Sequence, residues 1–286
     1  MDVRVALISP EPLPSAVVDD CCRLIGSDVS RWIDADWGHG VWLKTRIEAP
    51  QALRHRLREI ATAPLDVAVV AGPLVEEPPK LLVMDVDSTL IDQEVIDELA
   101  WTAGTGPQVA EITERAMHGE LDFRQALQER VETLTGQPAS LVDRVLERIT
   151  LTPGAQALIQ AIHAAGGKVG VVSGGFAEVV TPLVRAAGID FQSANALDIV
   201  DGRLTGRTIG PIIDRAAKQR TLLRYAGQVG CSPSQVLAIG DGANDLDMLH
   251  TAGLGVAFCA KPVAADAADA AISFRRLDAA LGYVVS

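Results

Sequence analysis

The tightest constraint on the fold of this chain is the point where Leu81-Leu82-Val83-Met84 runs into Asp85-Val86-Asp87-Ser88-Thr89. A short, continuous apolar run bounded by turn residues reads as a strand buried on both faces, the habit of a parallel sheet. Ligands of such sheets bind in the crevice beyond the carboxyl ends of the strands. Two carboxylates one residue apart at that edge are costly to hold together. Like charges raise one pKa unless a cation compensates. Packing alone would not select such a pair. A bound divalent metal and a carboxylate that attacks phosphorus would need both acids.

Two more apolar runs end in the same way. Val169-Gly170-Val171-Val172 leads into Ser173-Gly174-Gly175, and Val236-Leu237-Ala238-Ile239 leads into Gly240-Asp241-Gly242-Ala243-Asn244-Asp245. Between them, Lys218 lies in an amphipathic stretch over 214–225. Each fragment alone is common, and their order carries the signal. Together they resemble the haloacid dehalogenase superfamily of phosphotransferases and, within it, the phosphoserine phosphatases. The resemblance covers roughly residues 80–275.

At 286 residues the chain has ample length for a buried core. Hydrophobic residues make up 48% of it and the mean hydropathy is +0.22, which argues against disorder. The formal net charge of -12 speaks against nucleic acid or an anionic membrane as a partner. It also leaves any phosphate to be gathered by local cations. Cys21 and Cys22 are adjacent while Cys231 and Cys259 stand apart, so the four read as free thiols of a reducing compartment. With no apolar leader and no stretch long enough to span a bilayer, a cytoplasmic protein is expected.

Glu76-Glu77-Pro78-Pro79 marks a linker, dividing the chain into 1–75 and 76–286. The first part reads as a strand over 3–8, a helix over 15–25 and paired strands over 29–35 and 40–47. A helix over 51–61 and a strand over 66–71 follow. This β-α-β-β-α-β order is the ferredoxin-like plan and resembles an ACT domain, a small amino-acid-binding regulatory fold. The turn after its first strand, Ser9-Pro10-Glu11-Pro12-Leu13-Pro14, has no glycine of the kind ACT ligand sites use. The part is therefore assigned a structural or oligomerising role first, pairing two copies, and a regulatory role second. Its three tryptophans, Trp32, Trp37 and Trp42, read as core or dimer-interface packing. Helical patterns over 94–103, 107–118, 122–134 and 140–149 exceed what a crossover needs and read as a cap at about 93–150. A hairpin over 195–208 turns at Asp201-Gly202. The expected fold is a doubly wound α/β parallel sheet, with this helical cap inserted after its first strand and an N-terminal α+β domain.

Asp85 is the candidate nucleophile, forming an aspartyl-phosphate that splits one displacement into two. Asp87 is the candidate acid and base. Because carboxylate and phosphate repel, a divalent cation must bridge them, and Mg²⁺ suits hard oxygen ligands. The resemblance implies the Asp85 carboxylate, the Asp87 main-chain carbonyl and the Asp241 carboxylate as its ligands, with Asp245 supporting from behind. Taken singly, Asp241 and Asp245 serve equally as turn and helix-cap residues. Ser173, Gly174 and Lys218 would hold the phosphoryl group, and Asn244 would reach the phosphate or the substrate. An amino-acid substrate is a zwitterion, so its pocket needs an anion and a cation. Glu94 in Glu94-Val95-Ile96-Asp97-Glu98 is read as the anion, and Arg130 as the cation. Phe123, seven residues before Arg130 on one helix face, would shield the site. By composition alone the same three residues are a helix-end acid, a surface charge and a core anchor. The resemblance implies a magnesium-dependent hydrolase of O-phospho-L-serine acting at the last step of serine synthesis. The alternatives are phosphoryl transfer to another small alcohol, hydrolysis of another small phosphate ester, or an amino-acid sensor.

Overall fold

The computed structural model describes residues 1–48, 50–60 and 64–285. Its first unit is a four-stranded antiparallel sheet of β1 (Asp2–Ser9), β2 (Val29–Ala35), β3 (Gly38–Arg46) and β4 (Asp66–Ala71), ordered β2-β3-β1-β4. Helices α1 (Ser15–Ile25) and α2 (Pro50–Ile60) cover one face. Position 61, read as the end of the second helix, lies outside the described residues. Alternation along β1 explains why all but its first residue are buried. Val3, Val5 and Leu7 face the helices, while Ala6 and Ile8 join the core of the larger unit.

On the face of β1 that carries Ala6 and Ile8 stands Arg4, only 1% exposed. Its guanidinium donates to the carbonyls of Val75 (2.8 Å), Leu74 (2.8 Å) and Tyr283 (2.7 Å) and lies 4.1 Å from the Trp42 ring. The Trp42 indole donates to Gly282 O at 2.6 Å. Trp37 and Trp42 are buried at this seam, whereas Trp32, on β2, is 61% exposed.

The second sheet has seven strands: β5 (Leu81–Met84), β6 (Lys168–Phe176), β7 (Phe191–Val200), β8 (Arg203–Ile209), β9 (Val236–Gly240), β10 (Leu254–Phe258) and β11 (Ala270–Ile272). Their order is β11-β10-β9-β5-β6-β7-β8, parallel except for the β7–β8 hairpin. That hairpin turns through Asp201 (φ 51°) and Gly202 (φ 72°), the left-handed pair a two-residue hairpin requires. β5 is buried on both faces. Leu82 and Met84 pack toward α7 (Ala155–Ala164) and α8 (Ala177–Ala187), and Leu81 and Val83 toward α9 (Arg215–Val229) and α10 (Leu246–Thr251). A last short helix, α11 (Pro262–Ala267), leads into β11. Chain order reverses on either side of β5, so Asp85 emerges at a topological switch point.

The cap comprises α3 (Val95–Ala103), α4 (Gly106–Met117), α5 (Phe123–Glu132) and α6 (Leu141–Leu146). Asp122 caps α5 reciprocally with Gln125. The fourth helix ends before the expected 149, because the following residues form the return connector. There Ile91 pairs with Leu151, Asp92 N donates to Thr150 O (3.0 Å) and Thr152 N to Leu90 O (2.9 Å). Asp92 also accepts from Thr150 Oγ1 (3.0 Å) and Arg275 Nε (2.7 Å). On its far side the cap pairs with the hairpin through Gly136 N to Leu204 O (2.8 Å) and Leu204 N to Gln137 O (2.9 Å). Among the described residues, no helix is long and apolar enough to cross a membrane.

Candidate active site

Three strand ends at one edge of the sheet, with one helix alongside, bring the site residues together. Asp85 follows β5, the Ser173-Gly174 segment lies late in β6, Asp241 and Asp245 follow β9, and Lys218 reaches across from α9. The sequence reading ended the second strand at 172. In the structure β6 continues to Phe176, with a register shift against β7 between Val172 and Phe176. Ser173 and Gly174 thus sit in an irregular stretch of strand rather than in a free loop. Two glycines deny the ladder its side-chain packing there.

Asp85, Asp241 and Asp245 each offer an oxygen, and the three lie within 4.8 Å of one another. Lys218, 1% exposed, places Nζ 2.6 Å from Asp85 Oδ2 and 2.7 Å from Asp245 Oδ1. Burial pulls the lysine pKa down, but Asp245 and Asp85 overcome it and hold the ammonium charged above its ordinary range. One cation does not satisfy three carboxylates. Burial, then Asp245, hold the Asp85 carboxyl well above the usual carboxylate range against the pull of Lys218. Burial, with Asp245 and Glu94 nearby, pushes Asp241 up to about 6. An all-oxygen donor set with unbalanced negative charge fits a hard divalent cation. Asp245, which sequence reading makes a support for the metal from close by, lies fully buried within 4.8 Å of the other two acids. Both its oxygens are engaged, one by Lys218 and the other by Gly242 N at 3.0 Å. Asp241 accepts only a long contact from Thr89 Oγ1 at 3.5 Å, so it is the least committed of the three.

Asp87 turns into a cavity of about 150 Å³ that Glu94, Phe123, Arg130, Gly174, Gly175 and Asn244 also line, together with Asp85 and Asp241. All the residues proposed from sequence therefore border this cavity or contact a residue that does. The apolar Ile96 and Leu127 complete its wall and escaped sequence reading, because they look like any buried helix residue. Asp87 accepts from Val95 N (2.9 Å) and Ser173 Oγ (3.2 Å), and the serine oxygen in turn accepts from Gly175 N (2.7 Å). Burial, then Glu94, push the Asp87 carboxyl up to about 7. The same group in an unfolded chain titrates near 3.9. Between those values the folded state keeps a proton that the unfolded state has released. The resulting stability is complete below the unfolded pKa and is lost as pH rises through the folded one. Asp87→Asn should flatten that decline. Melting midpoints in chelating buffer from about pH 4 to about pH 8 check it, and parallel curves for variant and parent would contradict the assignment.

Gly175 was a third site residue missed from sequence, although it stands in the motif itself. A Cβ there would lie 2.8 Å from Asp87 Oδ2 and 3.0 Å from Ser173 Oγ. Gly175→Ala should therefore displace the Asp87 carboxylate and lower turnover by about 10- to 100-fold with little change in melting midpoint. Steady-state kinetics beside a thermal melt would show it.

At the cap end, Ser88 donates to Glu94 Oε1 at 2.7 Å. Ser88 has φ 56°, one of three non-glycine residues on the left-handed side among the described residues. Burial raises the Glu94 carboxyl, and Asp97 adds to it while Ser88 and Arg130 oppose. Burial lowers the Arg130 guanidinium, and Asp97 and Glu94 hold it charged. The cavity thus has an acidic, cation-ready end at Asp85 and an anion and a cation, Glu94 and Arg130, on its cap side.

Over residues 79–253 the chain matches the haloacid dehalogenase-like hydrolase family. It is 54% identical over 223 residues to a phosphoserine phosphatase of Streptomyces coelicolor, covering 78% of this chain and 54% of the relative. The chain thus spans about half the length of that protein. A phosphoserine phosphatase of Streptococcus thermophilus is 56% identical over 183 residues, covering 64% of this chain and 85% of the relative. Among solved structures, a haloacid dehalogenase family hydrolase of Salmonella enterica subsp. enterica serovar Typhi has a TM-score of 0.88 at 28% identity. That match covers 100% of this chain and 99% of the other.

Proposed function

Because the chain belongs to the haloacid dehalogenase-like hydrolases and, within them, to the phosphoserine phosphatases, we propose that it hydrolyses O-phospho-L-serine to L-serine and phosphate. The observation that carries this reading is the two-ended cavity. Asp85, Lys218 and Ser173 serve a phosphoryl group at one end, and Glu94 and Arg130 face an ammonium and a carboxylate at the other. At about 150 Å³ it is well below the roughly 300–1,000 Å³ of sites for larger ligands.

In this mechanism an Asp85 carboxylate oxygen attacks phosphorus, the phosphorus–serine oxygen bond breaks, and the leaving alkoxide takes the proton of Asp87. Ionised Asp87 then accepts a proton from water, whose oxygen displaces Asp85 and frees phosphate. The proton affinity of Asp87, near neutrality through burial, suits both duties. Lys218 keeps positive charge at the reacting carboxylate, and the Ser173-Gly174-Gly175 backbone, without side chains at its two glycines, allows its N–H groups to approach phosphate oxygens. Asp85, Asp241 and the Asp87 carbonyl would hold Mg²⁺, with Asp245 bracing them. When bound, the metal would supply charge neutralisation between carboxylate and phosphate. Asn244 faces the same cavity and would bind substrate, while Phe123 and the cap exclude bulk water.

Assays of the purified protein on phosphoserine, phosphothreonine and sugar phosphates, with product analysis for alcohol acceptors, test the substrate. Preference for a sugar phosphate, or transfer to an acceptor in place of water, would replace this reading. Arg130→Ala and Glu94→Gln should each lower kcat/KM for phosphoserine by about 10²-fold, since each removes a charged partner of the substrate. Both should spare p-nitrophenyl phosphate, which has no amino-acid end. Equal losses on both substrates would remove these residues from recognition.

The same proposal places a structural and pairing unit at 1–75, a catalytic unit at 76–286 and a cytoplasmic role in serine synthesis. Exposed Trp32 on the outer strand β2 supports pairing of two copies there.

A further inference from the structure

A second cavity, of about 550 Å³, lies between the root of the β7–β8 hairpin and α9, within the size range of small-molecule sites. Its walls are apolar, with Ala194, Ile212, Ile213 and Ala217 prominent, and its charged residues are Arg220 and Arg224. The two arginines are four residues apart on α9, hence on one face. Such a like-charged pair weakens a helix. Among the described residues, neither is in an ion pair. Arg224 donates only to Ser193 Oγ, at 2.7 Å, and Asp214, the nearest acid in the chain, is taken by Arg124 and Ala217 N. On a chain of net charge -12, two arginines over an apolar wall, one drawn only at longer range by Asp214 and the other set over the Tyr225 ring, are matched by an organic anion.

This cavity is wired to the catalytic one. Ile213 N donates to Asn195 Oδ1 (2.8 Å), and Asn195 Nδ2 donates to Gly174 O (2.7 Å). Asn195 is 1% exposed, so a shift of Ile213 leaves its amide no water to turn to. β8, which ends at the cavity, is also the strand that holds the cap by main-chain bonds.

We propose that this cavity is an effector site for a small organic anion, an apolar body ending in a carboxylate or phosphate-like group. Its occupancy alters substrate affinity through Asn195 and the Ser173-Gly174 segment. The site does not depend on which phosphate ester is the substrate. By linkage, the effector changes substrate affinity by the same factor as substrate changes effector affinity.

The full-length chain is titrated calorimetrically with octanoate and with octylphosphonate, octan-1-ol serving as the uncharged control. Expected is saturable one-to-one binding of at least one anion, ten times or more tighter than the alcohol. That affinity should fall tenfold or more in Arg220→Gln/Arg224→Gln, whose side chains are exposed and whose melting midpoint verifies folding. The anion that binds distinguishes a carboxylate effector from a phosphate one. The same anion should move KM at least twofold in the parent and not in the double variant. No saturable binding by either anion, or equal binding by the double variant, overturns the site. A KM effect that persists in the double variant places the anion in the catalytic cavity. Binding with no KM change overturns the coupling. A parent dimer that the double variant dissociates in sedimentation shows instead that a second copy covers this face.

Discussion

Asp85→Asn should lose at least about 10⁴-fold in turnover while folding normally. An amide nitrogen and a neutral carbonyl oxygen cannot form the acyl-phosphate, so the two-step route closes. Folding should survive for a specific reason. Asp85 is held against its own charge preference, by burial and by Asp245, so neutralising it relieves repulsion. Lys218 keeps a partner in Asp245 at 2.7 Å. In metal-free buffer the variant's melting midpoint should be no lower than the parent's. Turnover within tenfold of the parent would dismiss Asp85 as nucleophile, and a collapsed melt would show that the residue is chiefly structural.

Lys218→Met should act on stability and activity together. Among the described residues its ammonium is the one cation paired with Asp85 and Asp245, and both carboxylates are essentially excluded from water. Removing one member of a buried charge cluster strands the others, at about 3–5 kcal/mol. Turnover should fall by about 10²–10³-fold as the phosphoryl-side charge disappears. Mg²⁺ offers a diagnostic. A cation that binds only the folded state stabilises by mass action. Millimolar Mg²⁺ should therefore raise the variant's melting midpoint more than the parent's, since it enters a more negative site. An equal rise in both would separate the metal from the Lys218 carboxylates.

How far this site was legible in the sequence differs residue by residue. Asp85 was legible because a four-residue apolar run has few destinations and an acid pair at its end has fewer. Lys218 was not legible by periodicity, which makes a helical lysine a solvated one. Only its order among the other motifs raised it, and its 1% exposure now gives the physical reason. The β-α-β-β-α-β pattern of the first unit foretold its sheet, yet not the burial of Arg4. The acceptors of Arg4, Leu74, Val75 and Tyr283, are as many as 279 residues away, beyond any local pattern. Ser88 looked like part of a motif, and its brace to Glu94 needed the backbone to turn left-handed, which composition does not disclose for serine. The helix over 140–149 was read too long because propensity does not register that Thr150 is recruited to face Asp92.

The pairing of Ile91 with Leu151 makes the two cap connectors a single ribbon rather than two independent strings. A paired ribbon flexes across its flat face and resists shearing and twisting. The cap is thereby tied at two edges, with Arg275 gripping the connector at Asp92 and β8 holding the far side through Leu204. A cap held at both edges opens only where one of those ties gives way, so substrate and products would share that one doorway.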